Sequence, residues 1–419
     1  MSGTNQTDQQ HFQPAATANC MQTVVLAAGE GTRMRPLTAA QPKPMLPVAG
    51  RPLLEHTLDR AVEAGASRLI VVVGYEADRV REHFGSQHCG VDVEYAVQHR
   101  QRGTADAVSA AAPLLSDEPF VVLNGDALYD LASLTTLYSN GPAVGSYRVD
   151  NPSSYGVLQL DERDDTRVRG VIEKPANPDS NLINTGAYVF PADAQQLLDV
   201  ESSERGELEL TDVLEAVCNR ESVTAVPFDR WLDVGRPWEL LAANEWLLES
   251  LSTRLDGEVH EQATLDGPVV VEAGATVKAG VTIEGPAYIA SGATVGPNAY
   301  VRGTTYLGSD TKVGHAVEIK NSILLAETSV GHLSYVGDSV LGRRVNFGAG
   351  TNVANLRHDG EPVKLTVKGE RVSTGRRKLG AIVGDEAKTA INTGLNAGIV
   401  LGTATTTTPG ETVTRDRWE

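Results

Sequence analysis

Residues 26 to 52, LAAGEGTRMRPLTAAQPKPMLPVAGRP, concentrate the residue types that handle phosphate. The apolar run TVVLAAG leads into Gly29-Glu30-Gly31, where missing side chains let backbone N–H groups approach a polyanion. Arg33 follows, and Lys43 stands in PKP further along the same segment. Cations beside such a turn suit a triphosphate whose negative charge shifts toward leaving pyrophosphate. No GKS/T follows, so this is not a P-loop, and the spacing is not a Rossmann dinucleotide fingerprint. Asp126 ends the run FVVLNGD, and Asp233 lies in WLDVGRPWE. A carboxylate at the C-terminal end of a strand opens onto the crevice where α/β proteins bind ligands. Much later, VGHLSYVGDS sets His332 and Tyr335 in a monotonous Gly- and Val-rich stretch. An imidazole titrates near neutrality and suits proton abstraction.

Two kinds of scaffold must position these groups. From residue 22 to about 250, short β-branched runs alternate with helical patterns: TVVLAAG, RLIVVVG, VEYAVQ and FVVLNGD read as strands. PLLEHTLDRAVEAG, EADRVREHFG and TADAVSAAAPLL read as helices, and PWELLAANEWLLESL closes the segment. The alternation predicts an α/β domain over 21–250, a mainly parallel sheet with helices on both faces. Beyond it, aliphatics recur every six positions: Leu265, Val271, Val277, Ile283, Ile289, Val295, Val301, Leu307, Val313 and Ile319. This is the signature of a hexapeptide-repeat β-helix, expected over 251–419. The register slips near 325–330 and partly returns as Val383, Thr389, Leu395 and Leu401. Between these, RHDGEPVKLTVKGERVSTGRRKLG reads as a protruding loop or hairpin. Residues 1–20 are polar and aperiodic and read as a disordered tail.

Composition excludes several function classes. With 41% hydrophobic and 21% charged residues, the chain has apolar material for real cores. No run approaches a membrane span and none has signal-peptide form, so the expectation is a cytoplasmic protein with no membrane partner. A net charge of −18 argues against binding nucleic acid. Only 9 of the 36 basic residues are lysine, a composition that suits a salt-rich, halophilic cytoplasm where charge repulsion is screened. Cys20, Cys89 and Cys218 make no CxxC and read as structural thiols, with no zinc site.

The front segment resembles the sugar-1-phosphate nucleotidylyltransferases, whose signature is LAAGxGTRMxPLT…PKPMLPVAGRP. The resemblance implies a Rossmann-like nucleotidyltransferase domain. It assigns nucleotide binding to Leu26, Ala27, Ala28, Gly29, Gly31, Thr32, Arg33 and Lys43, with Gln98, Gly103 and Thr104 in QHRQRGTADA at the base. It makes Arg33 and Lys43 catalytic and gives Mg²⁺ to Asp126 and Asp233. Two carboxylates, with phosphate and water supplying the rest, is the coordination that ion prefers. Gly156, Glu173, Lys174 and Asn184 match the sugar and sugar-phosphate contacts. Bacterial bifunctional uridylyltransferases carry Asn at the second metal position, whereas Asp233 looks more like the thymidylyl- and mannose-type enzymes. UTP and dTTP both stay open.

The order AYVRG, VEIKNS, VGHLSYVGDS, RRVNFGAGTNVAN resembles the acetyltransferase half of the bifunctional glucosamine-1-phosphate acetyltransferase/N-acetylglucosamine-1-phosphate uridylyltransferases. The implied fold is a left-handed parallel β-helix and the implied cosubstrate acetyl-CoA. Arg302 and Lys320 would bind sugar phosphate, His332 would be the general base, and Tyr335, Asn346 and Asn355 would contact the amino sugar. Lys320 and Arg302 precede His332 by 12 and 30 residues, multiples of six that read as one and two coil lengths. Backbone N–H groups near Gly348-Ala349-Gly350 could serve the oxyanion. Arg376, Arg377 and Lys378 are candidates for coenzyme A phosphates. Family members of this type are trimers with the acetyl site between subunits. NTGLNAG replaces the stretch that supplies their later contacts, leaving glucosamine- and galactosamine-1-phosphate both open as acceptors. Rival readings are a monofunctional glucose- or mannose-1-phosphate nucleotidylyltransferase with an inert β-helix, and a catalytically silent sugar-nucleotide-binding subunit. The intact Gly29, Gly31, Arg33, Lys43, Asp126 and Asp233 count against the latter.

Overall fold

The β-branched runs pair side by side, because each presents apolar side chains to both faces of a sheet. In the computed structural model, which describes residues 20–203 and 206–418, four of them are parallel neighbours. They are β1 (Met21–Leu26), β2 (Ala66–Val73), β3 (Val91–Val97) and β4 (Phe120–Asn124), in the order β4-β1-β2-β3. Apart from Cys20, the segment read as a disordered tail lies outside the described residues. The helices are α1 (Leu53–Ala64), α2 (Ala77–Phe84), α3 (Thr104–Ala111), α4 (Leu131–Tyr138), α5 (Leu210–Cys218) and α6 (Glu239–Leu248). Adjacent strand residues feed opposite cores. Val25, Val71 and Val121 pack with Leu58 of α1 and Leu134 of α4. Val24, Ile70 and Val122 pack with Val108 of α3 and Val213 of α5.

The sheet is less parallel than its first half suggests. Beyond β4 it continues through β5 (Ala143–Arg148), β6 (Leu182–Phe190) and β7 (Val223–Pro227), in the order β7-β5-β6-β4. Here β6 runs antiparallel to both β4 and β5. The reason is the connection. Between β5 and β6 the chain forms an antiparallel ribbon, Gly156–Asp161 with Asp164–Glu173, not the crossover helix that a parallel return requires.

Past α6 the chain coils into three parallel sheets. The first face runs from Arg254–Leu255 to Val400–Leu401, the second from Glu258–Val259 to Lys388–Thr389, and the third from Thr264–Asp266 to Thr412–Val413. The hexad aliphatics fill the interior, from Val271 to Ile319, and Val383, Leu395 and Leu401 rejoin the same stack. The register change falls slightly before its expected place: after Ile319 the next interior residue is Leu324, and after Val336 it is Leu341, each one position early. Coil partners are accordingly eighteen apart at Tyr300 and Glu318 but seventeen apart at Glu318 and Tyr335. At the shortened corners Asn321 (φ 45°) and Asp338 (φ 51°) adopt the left-handed region, which Asn and Asp tolerate best. The interruption in the repeat is a hairpin, Lys364–Val367 with Glu370–Ser373.

The two halves share a core. Met34, Leu37, Leu46, Val234, Trp238 and Leu241 of the front half are packed with Tyr306, Ile323, Val340, Ile382 and Val400 on the first face. The hairpin is therefore anchored as well as protruding: its Val363 and Leu365 are buried in this joint core. Buried Asn244 of α6 accepts from the Ala49 N–H (3.2 Å) and donates to the Thr304 carbonyl (3.2 Å). These contacts fix the coil beneath the segment that carries Arg33 and Lys43.

Candidate active sites

The C-terminal ends of β1 and β4 converge on one cleft of about 240 Å³. After β1 the chain turns at Gly31 (φ 69°), where a Cβ would come within 2.7 Å of the Lys43 Cβ. Only glycine allows both that backbone conformation and that approach. Thr38 Oγ1 donates to the Gly31 carbonyl at 2.9 Å and holds the turn. Buried Lys43 is ion-paired with Asp126. Asp233 joins them because its strand, Trp231–Asp233, pairs antiparallel with Ala127–Tyr129 and sets Asp233 opposite Ala127. Burial raises the Asp233 carboxyl above its ordinary pKa, and the Asp126 charge raises it further, while Lys43 and Arg33 oppose them.

The same cleft is lined by Arg33, Thr104, Gly156, Glu173, Lys174 and Asn184. Asn184 Oδ1 accepts from Gly186 N–H (3.0 Å) and Tyr188 OH (2.8 Å), and its Nδ2 faces the Gly156 carbonyl at 3.5 Å. Lys174 Nζ lies 3.2 Å from Glu173. Gln98 sits at the end of β3, its Nε2 donating to the Gly103 carbonyl (3.0 Å) and to Asp106 (2.8 Å). Gly103 has φ 128°, and a Cβ there would overlap the backbone N and O of Leu208. Of the front residues singled out in the sequence, Arg33, Thr104, Asp126, Gly156, Glu173, Lys174, Asn184 and Asp233 line one crevice, with Lys43 joined to it through Asp126 and Gln98 bonded to Gly103, the neighbour of Thr104.

The back-half candidates divide between two corners. Arg302 and Lys320 are coil partners of each other on the third face, and their column continues at Gly337. The expectation that multiples of six align them with His332 is thus corrected, because three sides make a coil. Lys320 Nζ donates to Asp338 (2.7 Å), Asn355 Nδ2 donates to Asp338 (2.5 Å) and Tyr335 OH (3.0 Å), and Arg302 Nε donates to Glu318 (2.8 Å). Exposed His332 lies at the corner between the second and third faces, above His315, whose carbonyl accepts from the Leu333 N–H at 3.0 Å. It shares a groove of about 570 Å³ with Lys312, His315 and Asn346. Tyr335 begins the third-face strand next to His332 and reaches Asn355, so it bridges the two corners.

Two expectations are narrowed by hydrogen bonding. The Gly348 and Gly350 N–H groups are spent on the coil ladder, donating to the Thr389 and His332 carbonyls (2.9 Å each). Among the described residues, only the Ala349 N–H of that corner has no backbone acceptor. Arg376 is not a free phosphate ligand: both its terminal nitrogens bond Glu245 of α6, at 2.5 and 3.2 Å, because the hairpin base docks on the front half. Arg377 and Lys378 remain exposed.

Residues 22–250 match the Nucleotidyl transferase family model, and 283–412 match the GMPPB C-terminal domain. The "Bifunctional protein GlmU" of Methanococcus vannielii is 41% identical over 391 residues, covering 91% of this chain and 92% of that protein. A "Bifunctional sugar-1-phosphate nucleotidylyltransferase/acetyltransferase" of Sulfurisphaera tokodaii is 38% identical over 404 residues, covering 94% and 98%. This chain belongs to the family of bifunctional sugar-1-phosphate nucleotidylyltransferase/acetyltransferases. A solved UDP-glucose pyrophosphorylase in complex with UDP-glucose aligns with a TM-score of 0.51 at 24% identity, covering 55% of this chain and 99% of that one, a likeness of fold.

Within this bifunctional family member, sequence reasoning missed two groups, Tyr155 in the cleft lining and Glu239 beside Asp233. Glu239 accepts from the Gly235 N–H (2.7 Å), and burial beside Asp233 lifts its carboxyl to about 7. Tyr155 lines the cleft beside Gly156, its hydroxyl pushed up to about 12 by burial and the Asp233 charge. Glu239 stood in the quoted run WLDVGRPWE and Tyr155 next to Gly156, but nothing in spacing alone told them from scaffold. The three cysteines are free thiols. Asp59 Oδ1 accepts from His88 Nε2 (2.7 Å) and Cys89 Sγ (3.7 Å), a trio with metal-ligand chemistry. However, Arg51 holds the other Asp59 oxygen at 2.6 Å, so the trio clasps α1 to a hairpin with its negative charge already balanced.

Proposed function

We infer that this chain makes a UDP-N-acetylhexosamine, UDP-N-acetylglucosamine being the reading its relatives favour, by acetyl transfer followed by nucleotidyl transfer. The observation that carries the reading is the single cleft joining Arg33, Asp126 and Asp233 to Gly156, Lys174 and Asn184. Arg33 and the two aspartates suit a metal-bound triphosphate, and Lys174 and Asn184 suit a sugar phosphate. In the nucleotidyl step an oxygen of the sugar-1-phosphate attacks the α-phosphorus of UTP or dTTP, and the bond to the β-phosphate breaks with release of pyrophosphate. No protein nucleophile is needed. The Gly29–Thr32 backbone cradles phosphates, Arg33 and Lys43 neutralise charge that grows on the leaving group, and Gln98, Gly103 and Thr104 hold the base. Glu173, Lys174 and Asn184 orient the sugar phosphate. Asp126 and Asp233 suit Mg²⁺: burial and the Asp126 charge raise the Asp233 carboxyl, and a cation there would favour its ionised form. When bound, that ion would offset phosphate charge.

For acetyl transfer, His332 takes the proton from the acceptor ammonium, the amine attacks the thioester carbonyl, and the C–S bond breaks to give coenzyme A. The Ala349 N–H, stacked directly on His332, faces the developing oxyanion. Arg302 and Lys320 bind the acceptor phosphate, and Tyr335, Asn346 and Asn355 its sugar. One chain leaves this site open: exposed Leu333 and Ile391 (63% and 52%) flank the His332 corner and suit burial against a second copy. A homotrimer completing the site, working in a salt-rich cytoplasm with acetyl-CoA and nucleoside triphosphates, fits these features. No helix among the described residues is long and apolar enough to cross a membrane.

The test is a matrix of nucleoside triphosphates against hexose- and hexosamine-1-phosphates, with and without acetyl-CoA. Mg²⁺-dependent pyrophosphate release and acetyl-CoA-dependent thiol release with glucosamine-1-phosphate are both expected. Pyrophosphate release without any thiol release would overturn the second activity. Full acetyl transfer by His332→Ala would overturn the role of that residue.

A further inference from the structure

One polar chain crosses from the nucleotidyl domain into the back-half cluster. Glu245 of α6 accepts from Arg376 and also, through Oε1, from Asn321 Nδ2 at 2.9 Å. The same Asn321 amide donates to Asp338 Oδ1 at 3.0 Å. The other Asp338 oxygen accepts from Lys320 and Asn355, and Asn355 continues to the Tyr335 hydroxyl. The side chain of Asp338 is 4% exposed and that of Lys320 15%, so water does little to orient either. Asn321 and Asp338 both occupy the corners that the coil shortens, and both have positive φ.

The charges explain the arrangement. Glu245 balances Arg376 and Asp338 balances Lys320, so the connected set is neutral and no buried charge stands alone. A neutral Asn321 amide joins the pairs, donating to one carboxylate of each. Removing Glu245 leaves Arg376 without its anion and frees Asn321 to turn toward it. Asp338 then loses the donor on Oδ1 and can swing on Oδ2, carrying Lys320 and Asn355 with it.

We propose that Glu245, on the nucleotidyltransferase domain, is a positioning residue for hexosamine-1-phosphate binding at the acetyl-transfer site of the β-helix. This rests on the acetyl-transfer reading of Lys320, Asn355 and Tyr335. Glu245 touches no substrate. It acts through Asn321 and Asp338, so the acceptor site requires the front half as well as the coil.

The experiment uses the full chain and measures both activities of Glu245→Gln, Glu245→Ala and the exchange Glu245→Arg with Arg376→Glu. Networks of this kind transmit about 0.5–2 kcal/mol, so KM for glucosamine-1-phosphate in thiol release should rise roughly twofold to thirtyfold in the single variants. KM for acetyl-CoA and the pyrophosphorylase kcat should hold at wild-type values, which also reports an intact fold. The exchanged pair puts a cation beside Asn321 and should not restore acceptor KM, whereas Glu245→Asp should restore it in part. Unchanged acceptor KM in both single variants, with wild-type thiol release present, overturns the positioning role. Equal losses of both activities overturn it too, by making Glu245 a general stabiliser. A wild-type chain with no thiol release would overturn the underlying acetyl-transfer reading, and this proposal with it.

Discussion

Replacing Lys43 with methionine tests the charge logic of the nucleotidyl cleft most directly. The side chain is 7% exposed and paired with Asp126, itself 32% exposed, beside Asp233. Removing one partner of a buried pair costs about 3–5 kcal/mol, and the partial exposure of Asp126 puts the expected loss near the lower end, about 3 kcal/mol. Catalysis should fall separately. With the role proposed for Lys43, losing one preorganised cation facing the leaving pyrophosphate is worth about 10²- to 10³-fold in kcat. The two effects differ in pH dependence. Lys43 now opposes the rise in the Asp233 pKa, so its removal lifts that carboxyl further above the ordinary 3.8. A carboxyl with a raised native pKa contributes stability below its unfolded value and loses it as pH climbs through the native one. The stability deficit of Lys43→Met should therefore be greater at pH 8 than at pH 5. Urea unfolding across that range measures the deficit, and pyrophosphate release measures kcat. A variant within threefold of wild-type kcat, or a deficit that shrinks as pH rises, would refute the reasoning.

Other consequences can be checked singly. Ile323 is fully buried in the core shared by the two halves, so Ile323→Ala should cost about 2–5 kcal/mol and lower one common calorimetric transition. Two transitions, with only one displaced, would show that the halves unfold independently. Gly103→Ala forces a side chain against the Leu208 backbone at φ 128°, and should cost about 1–3 kcal/mol with weaker nucleoside triphosphate binding by equilibrium titration. Unaltered affinity would overturn the base-binding role proposed for Gly103. Buried His56 has its pKa lowered, first by desolvation, so the native state resists protonation that the unfolded chain accepts below 6.5. Stability should fall as pH drops below 6.5 toward the native pKa, and His56→Gln should flatten that slope in urea titrations between pH 5 and 7. An unchanged slope would place the acid sensitivity elsewhere.

Much of this protein is legible in its sequence because two of its signals are local. The run from Leu26 to Pro52 encodes its turn through Gly29 and Gly31 and its charge through Arg33 and Lys43, all close in the chain. The hexads from Leu265 to Ile319 encode a coil because each aliphatic sees the same interior from every side. Non-local facts were hidden. Nothing near β6 marks it as antiparallel, since direction depends on the ribbon that delivers the chain to the sheet. Counting in sixes could not say that His332 lies one corner away from Lys320, because which sides coincide depends on coil circumference. Tyr155, Asn321 and Asp338 acquire their significance from partners far away in sequence, as does Arg376 from Glu245. Sequence alone determined which chemistries were available and on which scaffolds. Tertiary structure decided which charges are buried together, for a carboxylate's partners and solvation are set by whatever the fold brings against it.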